Sequence, residues 1–274
     1  MGVIGTGFGA RVVAPVFAAT PGCDVVDVVS ARDVDAVERL CRRDDVDLVS
    51  VHSPPFRHAP DVRLALASGH HVLCDKPFAM DAVEAAALLK DALAAGVVHA
   101  VNFEFRHDPA RLQLHRLVAD GGVGVPQQFA WTHASNVWRR RASGWQFDRA
   151  LGGGWIGAWG SHAIDFLRWT FGALTDAGAR TQVTIAERPD GDGNPFECTA
   201  EDAFTAWMRT ADGATERRRI VAVKVRHCRN LVVVRRDQEG FSRQHGNLSQ
   251  EACVPDMKFL SCFAGAWPTA NVGN

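Results

Sequence analysis

The chain has 274 residues, of which 47% are hydrophobic and 22% charged, and its formal net charge is −1. That length suits one large domain or two modest ones, each with its own core. The near-zero charge gives no electrostatic reason to expect nucleic acid or an anionic membrane as a partner. No window approaches the roughly 18 uninterrupted apolar residues of a membrane span, and the N-terminus reads at once as strand, turn and helix rather than a cleavable leader. Seven scattered cysteines form no CxxC pair, which points away from a zinc centre or a disulfide framework and toward a reducing, cytoplasmic setting.

In chain order, apolar runs alternate with amphipathic stretches through the first hundred residues. Val3-Ile4 ends a strand, Gly5 to Gly9 is a turn and Arg11 to Ala19 a helix. Val25 to Val29 is a strand and Val34 to Arg43 a helix. Leu48 to Val51 is a buried strand closed by Ser53-Pro54-Pro55, because proline cannot continue the ladder. Pro60 to Ser68 is helical, His71 to Cys74 a strand, Ala82 to Ala95 a helix closed by Gly96, and Val97 to Phe103 a strand. Helices between consecutive strands predict an α/β, Rossmann-type, doubly wound parallel sheet over residues 1–105.

The texture then changes. Leu112 to Ala119 and Ser161 to Phe171 read as helices, while Gln127 to His133, Ala177 to Ala186, Asp202 to Thr210 and Ile220 to Val225 alternate like strands. This predicts a second, α+β domain over residues 106–274 with a mainly antiparallel open sheet. Glu187 to Asn194 reads as a loop, and the segment from about Gln238 onward as irregular.

Gly5-Thr6-Gly7-Phe8-Gly9-Ala10 fits G-x-G-x-x-G/A between a strand and a helix. The first glycine permits the tight turn, the second lets backbone approach a pyrophosphate, and the small third residue lets helix pack on strand. The second strand ends Ser30-Ala31-Arg32-Asp33. Ser30 and Arg32 suit a 2′-phosphate and hence NADP; a shift of register would place Asp33 on the ribose hydroxyls and restore NAD. Asp75-Lys76-Pro77 follows an apolar strand, where ligands bind in open parallel sheets; Lys76 there suits donation to a hydroxyl or carbonyl.

These motifs, with Gly152-Gly153-Gly154 and Gly160-Ser161-His162-Ala163-Ile164-Asp165, resemble the glucose-fructose oxidoreductase / inositol dehydrogenase / MocA family. Asp75-Lys76-Pro77 is similar to its E-K-P motif. Ser53-Pro54-Pro55 with His58 resembles its T-P-x-x-x-H loop beside the cofactor, and Asn102-Phe103-Glu104-Phe105-Arg106 the strand end leading to its second domain. The resemblance implies that Ser53, Pro54, His58, Asp75, Lys76 and Asn102 border the dinucleotide with Gly5 to Ala10. It implies that Lys76 polarises the reacting C–O group and that His162 relays the hydroxyl proton. Lys76, Arg106, Trp159, His162 and Asp165 then face the substrate. Asp165, on the same helical face as His162, suits either orienting it or a structural bond. Trp155 and Trp159 suit either stacking on a sugar or core packing.

One departure stands out. The family commonly carries an aspartate four residues before the histidine, and this chain has Ala158 there. The resemblance therefore implies an NAD(P)-dependent oxidoreductase acting on a sugar, polyol or related cyclic alcohol or ketone, pairing into a homodimer or homotetramer. The alternative is a catalytically impaired dinucleotide-binding sensor or structural protein of the same fold.

Overall fold

A computed structural model describes residues 1–135, 138–139, 141–211 and 219–226. Five short strands, β1 (Gly2–Ile4), β2 (Asp27–Val29), β3 (Leu48–Val51), β4 (His71–Cys74) and β5 (His99–Val101), form one parallel sheet of order β2-β1-β3-β4-β5. Between them run a π-helical turn Gly9–Val13 continuing into α1 (Ala14–Ala18), then α2 (Val34–Cys41), α3 (Pro55–Ala67) and α4 (Ala82–Ala95).

The period-2 alternation of a strand explains the two covered faces. Ile4 enters the core shared with Val37, Leu40 and Val62, whereas Val3, its neighbour, packs against Ala14 on the opposite face. The strand order reverses between β1 and β3, and that reversal opens a crevice at the carboxyl ends of the strands.

Four strands, β6 (Gln128–Ala134), β7 (Leu174–Gln182), β10 (Ala203–Thr210) and β11 (Arg219–Arg226), make a second sheet of order β6-β11-β10-β7. Two of its three pairings are antiparallel, and β6 runs parallel to β11. Helices α5 (Pro109–Ala119) and α6 (Ser161–Phe171) accompany it. In α6 the buried residues His162, Ala163, Phe166, Leu167, Thr170 and Phe171 recur at helical spacing. Phe166, Leu167 and Phe171 join Phe129, Trp131, Phe204 and Met208 in one core.

Several expected bounds need correction; β7, for one, is Leu174–Gln182 rather than Ala177 to Ala186. The third helix begins at Pro55 rather than Pro60, because proline at the first helical position has its φ preset and its missing N–H costs nothing there. The fifth strand is only His99–Val101. The expected loop over residues 187–194 contains a strand, β8 (Glu187–Pro189), paired with β9 (Pro195–Glu197). Its turn is tied by Asp190, whose Oδ1 accepts from the backbone N–H of Asp192 at 2.9 Å and of Asn194 at 2.8 Å. The tail from Gln238 lies outside the described residues.

Candidate active site

The glycine-rich turn shapes the crevice floor. Gly5 has φ +131°, and a Cβ there would sit 2.5 Å from the backbone oxygen of His52, so the β1 and β3 ends meet closely only because no side chain intervenes. At Gly7 nothing lies within 4 Å of the Cβ position; a side chain there would fill the space in front of the helix start, where a phosphate is cradled. The small residue that lets the helix approach β1 is Gly9, whose Cβ would meet Val3 and His52 at 3.0 Å, ahead of the Ala10 expected from the motif. These features fit a dinucleotide.

At the end of β2, Asp33 caps α2, its Oδ1 accepting from the N–H of Ala36 at 2.9 Å. Ser30 Oγ accepts from the Arg32 N–H at 3.2 Å, and the Arg32 side chain is exposed.

Lys76 lies past β4, between Asp75 and a cis bond to Pro77. Its backbone N–H donates to Asp75 Oδ1 at 3.0 Å, and its Nζ crosses the cleft to donate to the backbone oxygen of Ala158 at 2.9 Å. The other oxygen of Asp75 lies 3.3 Å from Nδ1 of His52, whose Nε2 is 2.7 Å from Ser50 Oγ. Burial would raise the Asp75 pKa, but the bond to His52 and the charge of Lys76 outweigh it and hold the carboxyl below its usual range. Asn102 follows β5 as Asp75 follows β4, its N–H donating to Cys74 O at 2.7 Å. Ser53 is buried, and Pro54 precedes α3 as its N-cap. His58 is buried, with Nε2 2.7 Å from Ser53 O and Nδ1 3.0 Å from Pro77 O. It braces the loop that carries Lys76.

The glycine-rich stretch forms the other wall. A Cβ on Gly153 would lie 2.5 Å from Trp145 O, 2.6 Å from Gln146 O and 2.7 Å from Asp148 O. Gly157 rests against Pro77. This close packing delivers the π-helical turn Ile156–Gly160, then α6 with His162 at its second position, onto Lys76.

His162 is 3% exposed, its ring stacked 3.9 Å from that of Phe105 and edge-on to Phe103. Its Nε2 lies 3.6 Å from Glu104 Oε1, while its Nδ1 is buried with no hydrogen-bond partner. Burial, then the Lys76 and Arg111 charges, push its pKa down to about 3, so the ring is neutral at physiological pH.

Glu104 is the residue sequence reasoning passed over. It lies inside a motif already singled out, and a carboxylate directly after a cofactor-side strand was the available signal. It begins the short 3-10 turn Glu104–His107, and burial raises its pKa.

Two residues with open alternatives each take one of them. Asp165 does not serve His162: the Arg106 guanidinium grips both its oxygens, Nε donating to Oδ2 at 2.8 Å, because the turn after β5 brings that fork onto the helix face. The pair lines a cleft of about 640 Å³ with Phe103, Ser161 and Trp169. Trp159 is buried in the second core, stacked 4.4 Å from His133 and edge-on to Trp131, so its apolar area goes into packing.

Known proteins align with this arrangement. A model of an oxidoreductase family with an NAD-binding Rossmann fold matches residues 1–103, and the GFO/IDH/MocA C-terminal domain matches residues 112–217. An uncharacterized oxidoreductase of Synechocystis is 33% identical over 73% of this chain and 59% of its own length. The levoglucosan dehydrogenase of Pseudarthrobacter phenanthrenivorans is 26% identical over 62% of this chain and 48% of its own length. The chain thus spans about half the length of these relatives. Among solved structures, GenD2 from gentamicin A biosynthesis, in complex with NAD, superposes with a TM-score of 0.68 at 27% identity over 82% of this chain and 64% of that one. With both halves matched in order, the chain belongs to the GFO/IDH/MocA family of oxidoreductases.

Proposed function

We propose that this protein is an NADP-dependent oxidoreductase that interconverts a CH–OH group and a ketone on a sugar, polyol or related cyclic substrate. The observation that carries the reading is the bond from Lys76 Nζ to Ala158 O, which joins residues 82 apart in sequence and sets the ammonium one helical turn from His162. An ammonium beside a neutral imidazole in a mostly buried cleft suits polarisation of a C–O bond with proton transfer at its oxygen. The bound nicotinamide dinucleotide supplies the two-electron acceptor or donor. Gly5 to Ala10, Ser53, Pro54, Asp75 and Asn102 border it, and His58 holds the loop in place. Arg106 and Asp165, as a neutral pair, shape the substrate side.

The sugar class is supported by relatives named levoglucosan dehydrogenase, D-xylose dehydrogenase and 1,5-anhydro-D-fructose reductase. Preference for NADP is supported by the occupation of Asp33 in capping α2, which leaves Ser30 and Arg32 to meet the ribose. The reading carries with it a cytoplasmic setting and pairing of subunits through the open sheet.

Fluorescence titration should show NADPH binding more tightly than NADH. Arg32→Ala should weaken NADPH about tenfold or more, the cost of a charge-assisted hydrogen bond, and leave NADH unchanged. A panel of levoglucosan, D-xylose and 1,5-anhydro-D-fructose, followed at the reduced-nicotinamide absorbance, should show turnover that Lys76→Ala abolishes. Ala158 in place of the family aspartate favours the second reading, a dinucleotide-binding sensor. Tight cofactor binding without turnover across the panel would establish that one instead.

A further inference from the structure

The cleft contains an acid that the sequence motifs do not assign. We propose that Glu104 fills the carboxylate role left open by Ala158, approaching His162 from the opposite wall of the cleft, and that it accepts and returns the proton of the reacting hydroxyl. The inference rests on the oxidoreductase reading above.

Geometry carries it. Glu104 Oε1 is 3.6 Å from His162 Nε2, and Glu104 Oε2 is buried with no hydrogen-bond partner. The side chain as a whole is 35% exposed, so it reaches both the site and solvent, whereas the His162 side chain is 3% exposed. Titratable groups face Glu104 from several elements. Lys76 and Asp75 face Glu104 from the loop after β4, His52 from the end of β3, and Arg111 from α5. Lys76 and Arg111 oppose a positive charge on His162, which Phe105 also covers. An imidazole so placed is a poor proton acceptor, and Glu104, raised by burial and Asp75, is the better one.

In the oxidation direction, the substrate O–H bond breaks and its proton forms a bond to a Glu104 oxygen. The freed electron pair becomes the second C–O bond as the C–H electron pair leaves in the two-electron oxidation named above. Reduction reverses each transfer, and the proton exchanges with solvent through the exposed edge of Glu104.

The test uses Glu104→Gln, Glu104→Asp and the double variant Glu104→Gln with Ala158→Asp, each titrated with NADPH to establish that the cleft is intact. Glu104→Gln should lower kcat on a panel substrate 10²- to 10⁴-fold, the range of general acid–base catalysis, with NADPH affinity held. It should also erase the acid limb of the pH–rate profile, which Glu104→Asp retains and Ala158→Asp restores. Without cofactor, the ¹⁵N histidine signal of His162 should shift with pH in the native protein and lose that step in Glu104→Gln. Turnover by native protein with kcat and pH profile unchanged in Glu104→Gln overturns this inference alone. No turnover by native protein overturns the oxidoreductase reading and this one with it.

Discussion

Acid should unfold this protein partly through its buried imidazoles, and His162 lets the effect be sized. In the native state its pKa is pushed from the ordinary 6.5 to about 3, by burial first and then by the Lys76 charge. The unfolded chain therefore binds a proton that the folded chain refuses, so stability falls as pH drops through the ordinary value and keeps falling until the native value is reached. Between about pH 7 and pH 5 this linkage removes on the order of 2 kcal/mol. His133, pushed to about 4 by burial and Arg111, loses a similar amount over the same window. Carboxylates such as Asp75 titrate as well, so the informative quantity is a difference. Urea unfolding followed by tryptophan fluorescence at the two pH values, for native protein and His162→Asn, isolates it. The variant loses the stack on Phe105 and starts less stable, but its loss on acidification should be smaller by about 2 kcal/mol. Equal losses in the two proteins would refute a neutral buried His162.

Gly153→Ala should destabilise by about 1–3 kcal/mol, as overpacking does, because three backbone oxygens crowd the Cβ position; the thermal unfolding midpoint and turnover should fall together. Trp159→Leu should cost a comparable ~2–4 kcal/mol, as core truncations do, while leaving KM for a panel substrate within about twofold; a large KM change at full stability would return Trp159 to the substrate wall. Arg188→Leu should cost about 3–5 kcal/mol in chemical denaturation. Its guanidinium is buried, donates to the backbone oxygens of Trp138 and Arg141, and lies 3.8 Å from Asp202.

The two halves of the site differ in how much local sequence reveals. The placement of Gly5, Gly7, Lys76 and His162 is legible because each lies in a short motif whose backbone geometry is set within a few residues. The parallel sheet and α6 are legible for the same reason, through period-2 and period-3.6 patterning. The β8–β9 hairpin is not, since Glu187–Asn194 has the composition of a loop and its ladder exists only once residue 195 folds back.

The roles of the charged residues are a tertiary outcome. Asp165 sits one turn from His162 in sequence, yet its carboxylate goes to Arg106, which arrives from a different part of the chain. Trp159 looks like a cleft residue beside His162, yet the second sheet claims it for the core. Ala158 reads as a lost group, but its backbone oxygen still anchors Lys76, and Glu104 stands where a carboxylate can meet the imidazole. By itself the sequence determined the architecture, the glycine-rich turn and the motifs that carry Lys76 and His162, because those follow from local backbone demands and hydrophobic periodicity. Only the tertiary structure decided which acid faces His162 and which charge each ion takes as partner, because electrostatic pairing and burial depend on what folding brings close, not on spacing along the chain.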